Sequence, residues 1–466
     1  MKRFEKNDLF KITGIMVLLT AILTWLIPYG YFNSGELVKQ EITRIGVFDF
    51  FTYGLLGAYY FTVLVTFILI LCGFYQMLSK IPAYQQITDF LAKKLTGKEI
   101  IFATATSFVI AVLTSFASEY FVILAIVPFI IAICSKLKMD KLSTFAASFG
   151  GILIGIMGAL YNSKIVGINN STFGIEYKTG IGVRLILFAL TFIAFSVFNI
   201  LHMRKSLKDK KVEASEDLFA EKYDNKVKYT VWPLITVLAI ALITIILAYF
   251  PWAKAFNIEW PSKALTGLQE LTIFDHKIFS YILGNVSAYG EWDIFGIQVI
   301  MLIATLILKI IYNIKFDDIL ESYGEGFKKA GKLVVIMLLA YVVLEFSVMY
   351  PVLPTISNWL LGLTKGFNVI ITYIVGLINA LFTVEYQYTL NLIGTQLITL
   401  FADKANALAF IMQSTYGLVS FFAPTSAILL IGLSYLDIKY KNWLKYIWKF
   451  LVAMLVITII IAFIVA

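Results

Sequence analysis

The sequence predicts an all-α polytopic membrane protein built as two inverted repeats, each with a re-entrant hairpin and a broken helix. Three observations predict it. The 466 residues are 60% hydrophobic and only 14% charged. Apolar runs reach about 20 residues, long enough for bilayer-crossing helices and too long for barrel strands. One short stretch occurs twice, as Phe116-Ala117-Ser118-Glu119-Tyr120 and Phe382-Thr383-Val384-Glu385-Tyr386. Each copy lies between long apolar runs, where an ionised Glu is costly and needs a reason.

The correspondence extends past the two acids. An Asp-Lys pair follows each, Asp140-Lys141 and Asp403-Lys404. Beyond it an apolar helical run breaks at small polar residues, Tyr161-Asn162-Ser163 in the first half and Pro424-Thr425-Ser426 in the second. Glu and Ser are 44 positions apart in the first half and 41 in the second. Paired hairpins, each followed by an interrupted helix, suit secondary transporters with internal repeats.

Taken in order, residues 1–203 form the first half. Lys2, Arg3, Lys6 and Lys11 precede the first crossing, Ile12 to Phe32, and put the N-terminus in the cytoplasm. That run is too long for a signal-peptide core. A crossing at 58–79 returns inside, and 83–95 has the helical alternation of a segment lying along the interface. The first hairpin, 99–135, has basic residues at both ends and so faces the cytoplasm. A re-entrant hairpin and two full crossings both fit it. The broken run 142–163 travels outward, 164–181 reads as an external loop, and 182–203 returns. Residues 204–229 form a cytoplasmic linker; its 204–228 stretch mixes eight Lys or Arg with six acids and reads as a solvated tether. The second half, 230–466, starts with crossings at 231–250 and 294–313, separated by an outside segment carrying Trp252, Trp260 and Trp292 as interfacial anchors. An amphipathic internal segment at 315–332 precedes a crossing at 333–350. A short external helix at 355–364 leads to the second hairpin, 366–401, and the broken run 405–435. The crossing 446–466 is the last. The predicted total is roughly 10–12 crossings.

Glu119 and Glu385 are the leading site candidates, able to hold a coupling cation, carry a proton or pair with a substrate amine. Asn162, Ser163, Thr425 and Ser426 come next, because an unwound membrane helix exposes backbone groups that attract ions. A sodium ion is expected near these four. Ser118 and Thr383 on the hairpins are weaker candidates. Lys164, directly after the first break, could meet a substrate carboxylate but reads first as an ordinary interface Lys, and Gly151 and Gly155 read as a close helix contact. The chain has no phosphate-binding GxxxxGK[ST] loop, no HExxH and no Cys/His cluster, which disfavours an ATP-driven pump or a metalloenzyme. The net charge of +9 needs no nucleic acid to explain it.

Several short motifs carry a resemblance. They are Thr24-Trp25-Leu26-Ile27-Pro28 with Gly30, Ser118-Glu119, Asp140-Lys141 leading to Asn162-Ser163, and Ala423-Pro424-Thr425-Ser426 through Trp443-Leu444. In these the chain resembles the C4-dicarboxylate anaerobic carrier family, specifically its YfcC-type basic amino-acid antiporters, within the ion transporter superfamily. The family commonly has paired acids on the first hairpin and Asn-Pro at the first break; here Tyr120 follows Glu119 and Ser163 follows Asn162. The resemblance implies a homodimer of scaffold and transport domains working as an elevator in a bacterial cell membrane. The expected function is secondary active transport, as antiport or cation-coupled symport, of small amino acids or organic acids, with no cofactor and with sodium or a proton as coupling ion. Two acids and no clearly placed Arg favour an amine-bearing substrate over a bare dicarboxylate. A C4-dicarboxylate or short-peptide carrier is the alternative within transport, and a passive pore the alternative of another class.

Overall fold

The computed structural model describes residues 8–33, 36–208, 213–221, 230–284 and 286–466. Lys2, Arg3 and Lys6, which carry much of the expected orientation, lie outside them. Among the described residues eight helices are long and apolar enough to cross a membrane. The broken helices add passages made of pieces too short to cross alone.

The helices fall into two sets by their packing. The first centres on Phe316–Met349, which packs on Thr62–Lys80, Asp8–Leu26 and Val47–Tyr60, with Ile294–Ile311 and Trp232–Tyr249 alongside. The second contains both hairpins and both broken helices, and its packing repeats. Glu99–Phe116 packs on Phe149–Met157, which packs on Ile181–Ser206; Val369–Phe382 packs on Ala405–Ser420, which packs on Tyr440–Val465. Hairpin arm, broken helix and following long helix thus meet in the same order in both halves.

Close helix approach needs residues without side chains, because lipid tails give no hydrophobic drive between apolar helices. The expected contact at Gly151 and Gly155 is present. A Cβ on Gly151 would stand 2.7 Å from the Ser107 carbonyl oxygen, and one on Gly155 2.6 Å from that of Ala111. In the first set Gly326 does the same work: a Cβ there would stand 2.5 Å from the Cys72 carbonyl oxygen.

Four expectations are corrected. The internal segment 315–332 and the crossing 333–350 are one 34-residue helix, Phe316–Met349, whose charged first turns continue without a break into its apolar part. The external loop 164–181 is helical over much of its length. The first broken helix resumes as the wide turn Ser163–Gly167 and continues as Ile168–Phe173. Its polar residues point inward: the Asn169 amide donates to the Ala409 carbonyl at 2.9 Å and the Asn170 amide to that of Glu176 at 2.8 Å. The first crossing stops at Leu26, before Pro28, and a two-stranded hairpin of Gly30–Asn33 and Glu36–Lys39 follows.

The fourth correction is the linker. Its described residues 213–221 are packed onto the molecule. Ser215 N donates to the Met139 carbonyl at 2.7 Å, and Thr144 Oγ1 donates to Ser215 Oγ at 2.9 Å. Phe219 is 2% exposed, with its ring stacked on Tyr75 and Lys329 Nζ 5.7 Å above it. Gln76 Nε2 donates to Glu221 Oε1 at 2.7 Å. Charge content suggested a solvated chain; one buried aromatic, contributing about 1.5–3 kcal/mol, overrides it. Of the remaining linker residues, 204–206 finish the helix Ile181–Ser206, Leu207 and Lys208 follow it as a turn, and 209–212 and 222–229 lie outside the described set.

Asp140 anchors the same region. It caps Lys141–Ala147 through the Ser143 N–H at 3.0 Å, and takes further hydrogen bonds from the Ser143 hydroxyl (2.5 Å), the Ser206 hydroxyl (2.6 Å) and His202 Nε2 (3.1 Å). Burial alone would raise its carboxyl, but the bonds from His202, Ser143 and Ser206 outweigh it and hold the group well below the usual carboxylate range. Its counterpart Asp403 is exposed on the short turn Ala402–Lys404, so the Asp-Lys repeat is one of sequence and not of environment.

Two outcomes follow from this packing. Gly326→Ala should cost about 1–3 kcal/mol of stability, since its methyl group meets backbone that cannot rotate away; an unchanged thermal midpoint would mean that the two helices do not touch there. Asp140→Asn should lose about 2 kcal/mol or more, as a cap and charge-assisted bonds weaken together. A carboxyl whose folded pKa is depressed contributes in full above its unfolded value near 3.9, and loses that contribution only as pH falls through the lower folded value. The gap between wild type and variant should therefore stay constant from pH 8 to pH 5 in thermal unfolding.

Candidate functional site

Each hairpin turns at its Glu. The first arm ends at Phe116, and after Ala117-Ser118-Glu119 the chain resumes as the 3-10 helix Tyr120–Ile126 and then Val127–Lys136. The second arm ends at Phe382 and resumes at Tyr386–Leu400. Glu119 and Glu385 are the residues immediately before the resumed helices, in extended backbone conformation. At such a position a carboxylate faces free backbone N–H groups and the positive end of the helix. Glu119 uses this directly, accepting from Phe121 N at 3.3 Å.

The two tips meet. Glu119 and Glu385 line one cavity of about 240 Å³, with Lys164 from the first broken helix. Tyr60, Phe61, Tyr120, Phe121, Tyr386 and Tyr388 supply most of the remaining wall. Lys164 Nζ lies 3.7 Å from Glu119 Oε2. The Tyr341 hydroxyl donates to Glu385 Oε1 at 2.7 Å. The formal charge of the lining is two carboxylates against one ammonium. Reading Lys164 as an ordinary interface residue is thus corrected: it is the nearest cation to the first acid.

The other candidates build the frame and do not line the cavity. Asn162 is fully buried and clamps the first break. Its amide donates to the Thr114 carbonyl at 2.8 Å, and its Oδ1 accepts from Lys164 N at 3.0 Å, which aims Lys164. Leu160 N and Tyr161 N both donate to the Ser115 carbonyl. Thr425 does the matching job in the second half, donating to the Leu381 carbonyl at 2.8 Å. Ser163 Oγ lies 3.5 Å from the Tyr177 hydroxyl. Ser426 is the residue before Ala427–Tyr435 and makes no side-chain cap bond. Thr383 Oγ1 bonds the Asn379 carbonyl and the Thr389 hydroxyl. Ser118 Oγ is buried without a partner, while its N–H donates to the Tyr249 carbonyl at 2.6 Å. The first break is also tied to the second broken helix: Gln413, in the middle of Ala405–Ser420, donates through Nε2 to the Met157 and Ala159 carbonyls at 3.3 and 3.0 Å.

Sequence reasoning passed over the aromatic wall and Tyr341. The repeat held a signal for part of it, since each Glu is followed by a Tyr and both tyrosines line the cavity. Tyr341 gave a weaker one, as a hydroxyl in the middle of an apolar run.

Solved structures that resemble the chain include two transporters. The YdaH transporter of Alcanivorax borkumensis has 13% sequence identity and a TM-score of 0.42, with 97% of each chain covered. MtrF of Neisseria gonorrhoeae, described as illuminating a class of antimetabolite efflux pumps, has 12% identity and a TM-score of 0.40, over 99% of this chain and 95% of that one. No curated protein matches the sequence. The model of one family, the C4-dicarboxylate anaerobic carriers, matches residues 7–466. With that match over nearly its whole length and its array of apolar helices, the chain belongs to the C4-dicarboxylate anaerobic carrier family and is a multi-pass membrane transporter.

Proposed function

We propose that the protein is a secondary active transporter of small amine-bearing solutes, amino acids and basic ones in particular, held between Glu119 and Glu385. One observation carries this: both hairpin acids line a single cavity with Lys164 as its one basic wall residue. A bare dicarboxylate would add two negative charges to a lining that already has an excess of one. At about 4 Å and an effective dielectric of 20, each like-charge pair costs roughly 4 kcal/mol. An ammonium group reverses the sign of that interaction. The aromatic wall supports the same choice, since ring faces attract cations within about 6 Å. Lys164 is then the partner of a substrate carboxylate, released from Glu119 as the substrate ammonium replaces it. Sodium or a proton is the proposed coupling ion, with the two carboxylates as its carriers. The side chains of Asn162 and Thr425 are already bonded to backbone, so their part in ion binding would be through the frame they hold.

The arms of the second hairpin, 14 and 15 residues, are each about 21–23 Å long and shorter than a bilayer core of about 30 Å. That supports re-entrant hairpins, and the division into two helix sets supports an elevator-type movement of one set against the other. A homodimer is part of the same proposal.

The test is uptake into proteoliposomes of labelled basic and neutral amino acids and C4-dicarboxylates, with sodium and proton gradients varied separately. Basic amino acids should be taken up or exchanged; uptake of dicarboxylates alone would overturn the reading, and flux independent of any gradient or counter-substrate would indicate a pore. Glu119→Gln and Glu385→Gln should each lower uptake at least tenfold, with thermal stability nearly kept. A variant with full uptake and unaltered ion dependence would remove that Glu from the site. Lys164→Gln should weaken apparent affinity for amino acids about tenfold, equivalent to about 1.4 kcal/mol, while changing affinity for the matching decarboxylated amines by less than twofold. Equal losses for both would show that Lys164 does not meet the carboxylate.

A further inference from the structure

One buried acid in the first helix set has no part in the site described so far. Glu345 lies in Phe316–Met349, the helix that also carries Tyr341, and is 6% exposed. Among the described residues its carboxylate has neither a hydrogen bond nor an ion pair. Its oxygens are not sealed: each still opens onto a water-sized space.

The surroundings of Glu345 lead to the hairpin cavity. Residues four apart share a helix face and lie about 6 Å apart along the axis. Glu345 therefore stands one turn from Tyr341, which bonds Glu385. The facing chain keeps the same spacing. A Cβ on Gly57 would stand 3.5 Å from Glu345 Cγ. One turn on, the Phe61 ring lies against Tyr341, centroids 3.7 Å apart, and 6.4 Å from the Tyr388 ring. Phe61 and Tyr388 are walls of the hairpin cavity. Tyr388 is within electrostatic reach of both Glu385 and Glu345, and its hydroxyl has no hydrogen bond among the described residues. In the other direction the helix ends at Met349, and the Pro351 carbonyl beyond it accepts from Gly30 N at 3.1 Å. Glu345 thus lies between the hairpin cavity and the face that carries the strands Gly30–Asn33 and Glu36–Lys39.

A buried carboxylate needs a partner, and the last turn of a helix is its negative end. The elements packed around Glu345 offer no cation. The titratable side chains within about a turn of these contacts are Tyr341 and Tyr350 on its own helix and just past it, Tyr53, Tyr59 and Tyr60 on Val47–Tyr60, and Glu385, Tyr386 and Tyr388 on the second hairpin. Asp49, farther along Val47–Tyr60, is held by Gly46 N. Asp8–Leu26 has none after Lys11, and Thr62–Lys80 none before Cys72. Val369–Phe382 has only Tyr373, bonded to Thr458, and Ala427–Tyr435 only Tyr435. Glu345 lines no part of the hairpin cavity, so a solute held there does not meet it. A proton needs no cavity, only an open oxygen and a hydroxyl nearby.

We propose that Glu345 is the proton-entry group of the transport path and passes its proton to Glu385 by way of the Tyr388 hydroxyl, so that the proton is the coupling ion. This rests on the transport reading above and narrows it. The Glu345 carboxyl O–H breaks and its proton goes to the Tyr388 oxygen, while the Tyr388 O–H breaks and its proton goes to a Glu385 carboxylate oxygen. Tyr388 ends as it began, Glu385 as the acid and Glu345 as the carboxylate. A hydronium ion from the strand-bearing face then restores the Glu345 acid and leaves water. Intramembrane acids are the usual groups of such relays.

The experiment uses proteoliposomes holding a pH-sensitive dye, with labelled lysine and arginine as solutes. Glu345→Gln should lower accumulation driven by a proton gradient about tenfold or more, yet leave exchange at equal concentrations within about twofold, since exchange needs no net proton transfer. Tyr388→Phe should lower the protons moved per solute about tenfold. Driven accumulation kept in Glu345→Gln, exchange lost together with it, wild-type uptake driven by sodium alone, or wild-type proton movement in Tyr388→Phe would each overturn the proposal. If the wild type moves neither solute, the transport reading fails by itself, and infrared difference spectra during an acid titration then decide for Glu345. The carboxylic C=O band that Glu345→Gln removes should shift in Tyr388→Phe and in Glu385→Gln. A band unmoved in both would break the link between the three groups.

Discussion

A helix that stops inside packed protein leaves backbone groups that water cannot reach, and both broken helices among the described residues stop this way. Everything near the hairpin cavity depends on how they are satisfied. In the first, Asn162 spans from the break to Thr114 of the hairpin arm; in the second, Thr425 spans to Leu381. Each is one polar side chain bonded to the last turn of the neighbouring arm. In hydrocarbon an unpaired amide or carbonyl costs several kcal/mol, so these bonds fix which hairpin goes with which break. The tips are then delivered together, and with them the two acids.

The cavity that results is charged by placement and not by composition. The chain as a whole is basic, yet its central cavity has one ammonium and two carboxylates. The long basic side chains are mostly elsewhere, at helix ends such as Lys80, Lys93, Lys94 and Lys136. Lys164 is the exception, and Asn162 is the reason: the same amide that closes the break orients the following turn.

How much of this could be read from the chain differs from residue to residue. Glu119, Glu385 and the breaks at Tyr161-Asn162-Ser163 and Pro424-Thr425-Ser426 were visible because charge and small polar residues are conspicuous in apolar runs. Gly151 and Gly155 were visible because spacing alone puts them on one helix face. The helix Phe316–Met349 was cut in two because its first half is charged and its second apolar; the backbone has no reason to stop where only solvent changes. Residues 164–181 looked like a loop because the stretch is polar and contains Gly, yet Asn169 and Asn170 bond the carbonyls of Ala409 and Glu176, distant in sequence or reached only after the turn forms. Lys164 was discounted for a similar reason, since pairing across 45 positions leaves no local pattern. Local chemistry declared itself; bonds between remote segments did not.

The packed linker has a mechanical meaning. Ser215 is tied to Met139 and Thr144 in one helix set, while Phe219 and Glu221 are tied to Tyr75 and Gln76 in the other. Only four residue steps separate Ser215 from Phe219, and an extended chain spans at most about 3.6 Å per residue. The strap can therefore pay out no more than about 14 Å before one anchor lets go. It ties the two helix sets together over a length written in the chain, held at one end by the Phe219 ring and the Gln76–Glu221 hydrogen bond.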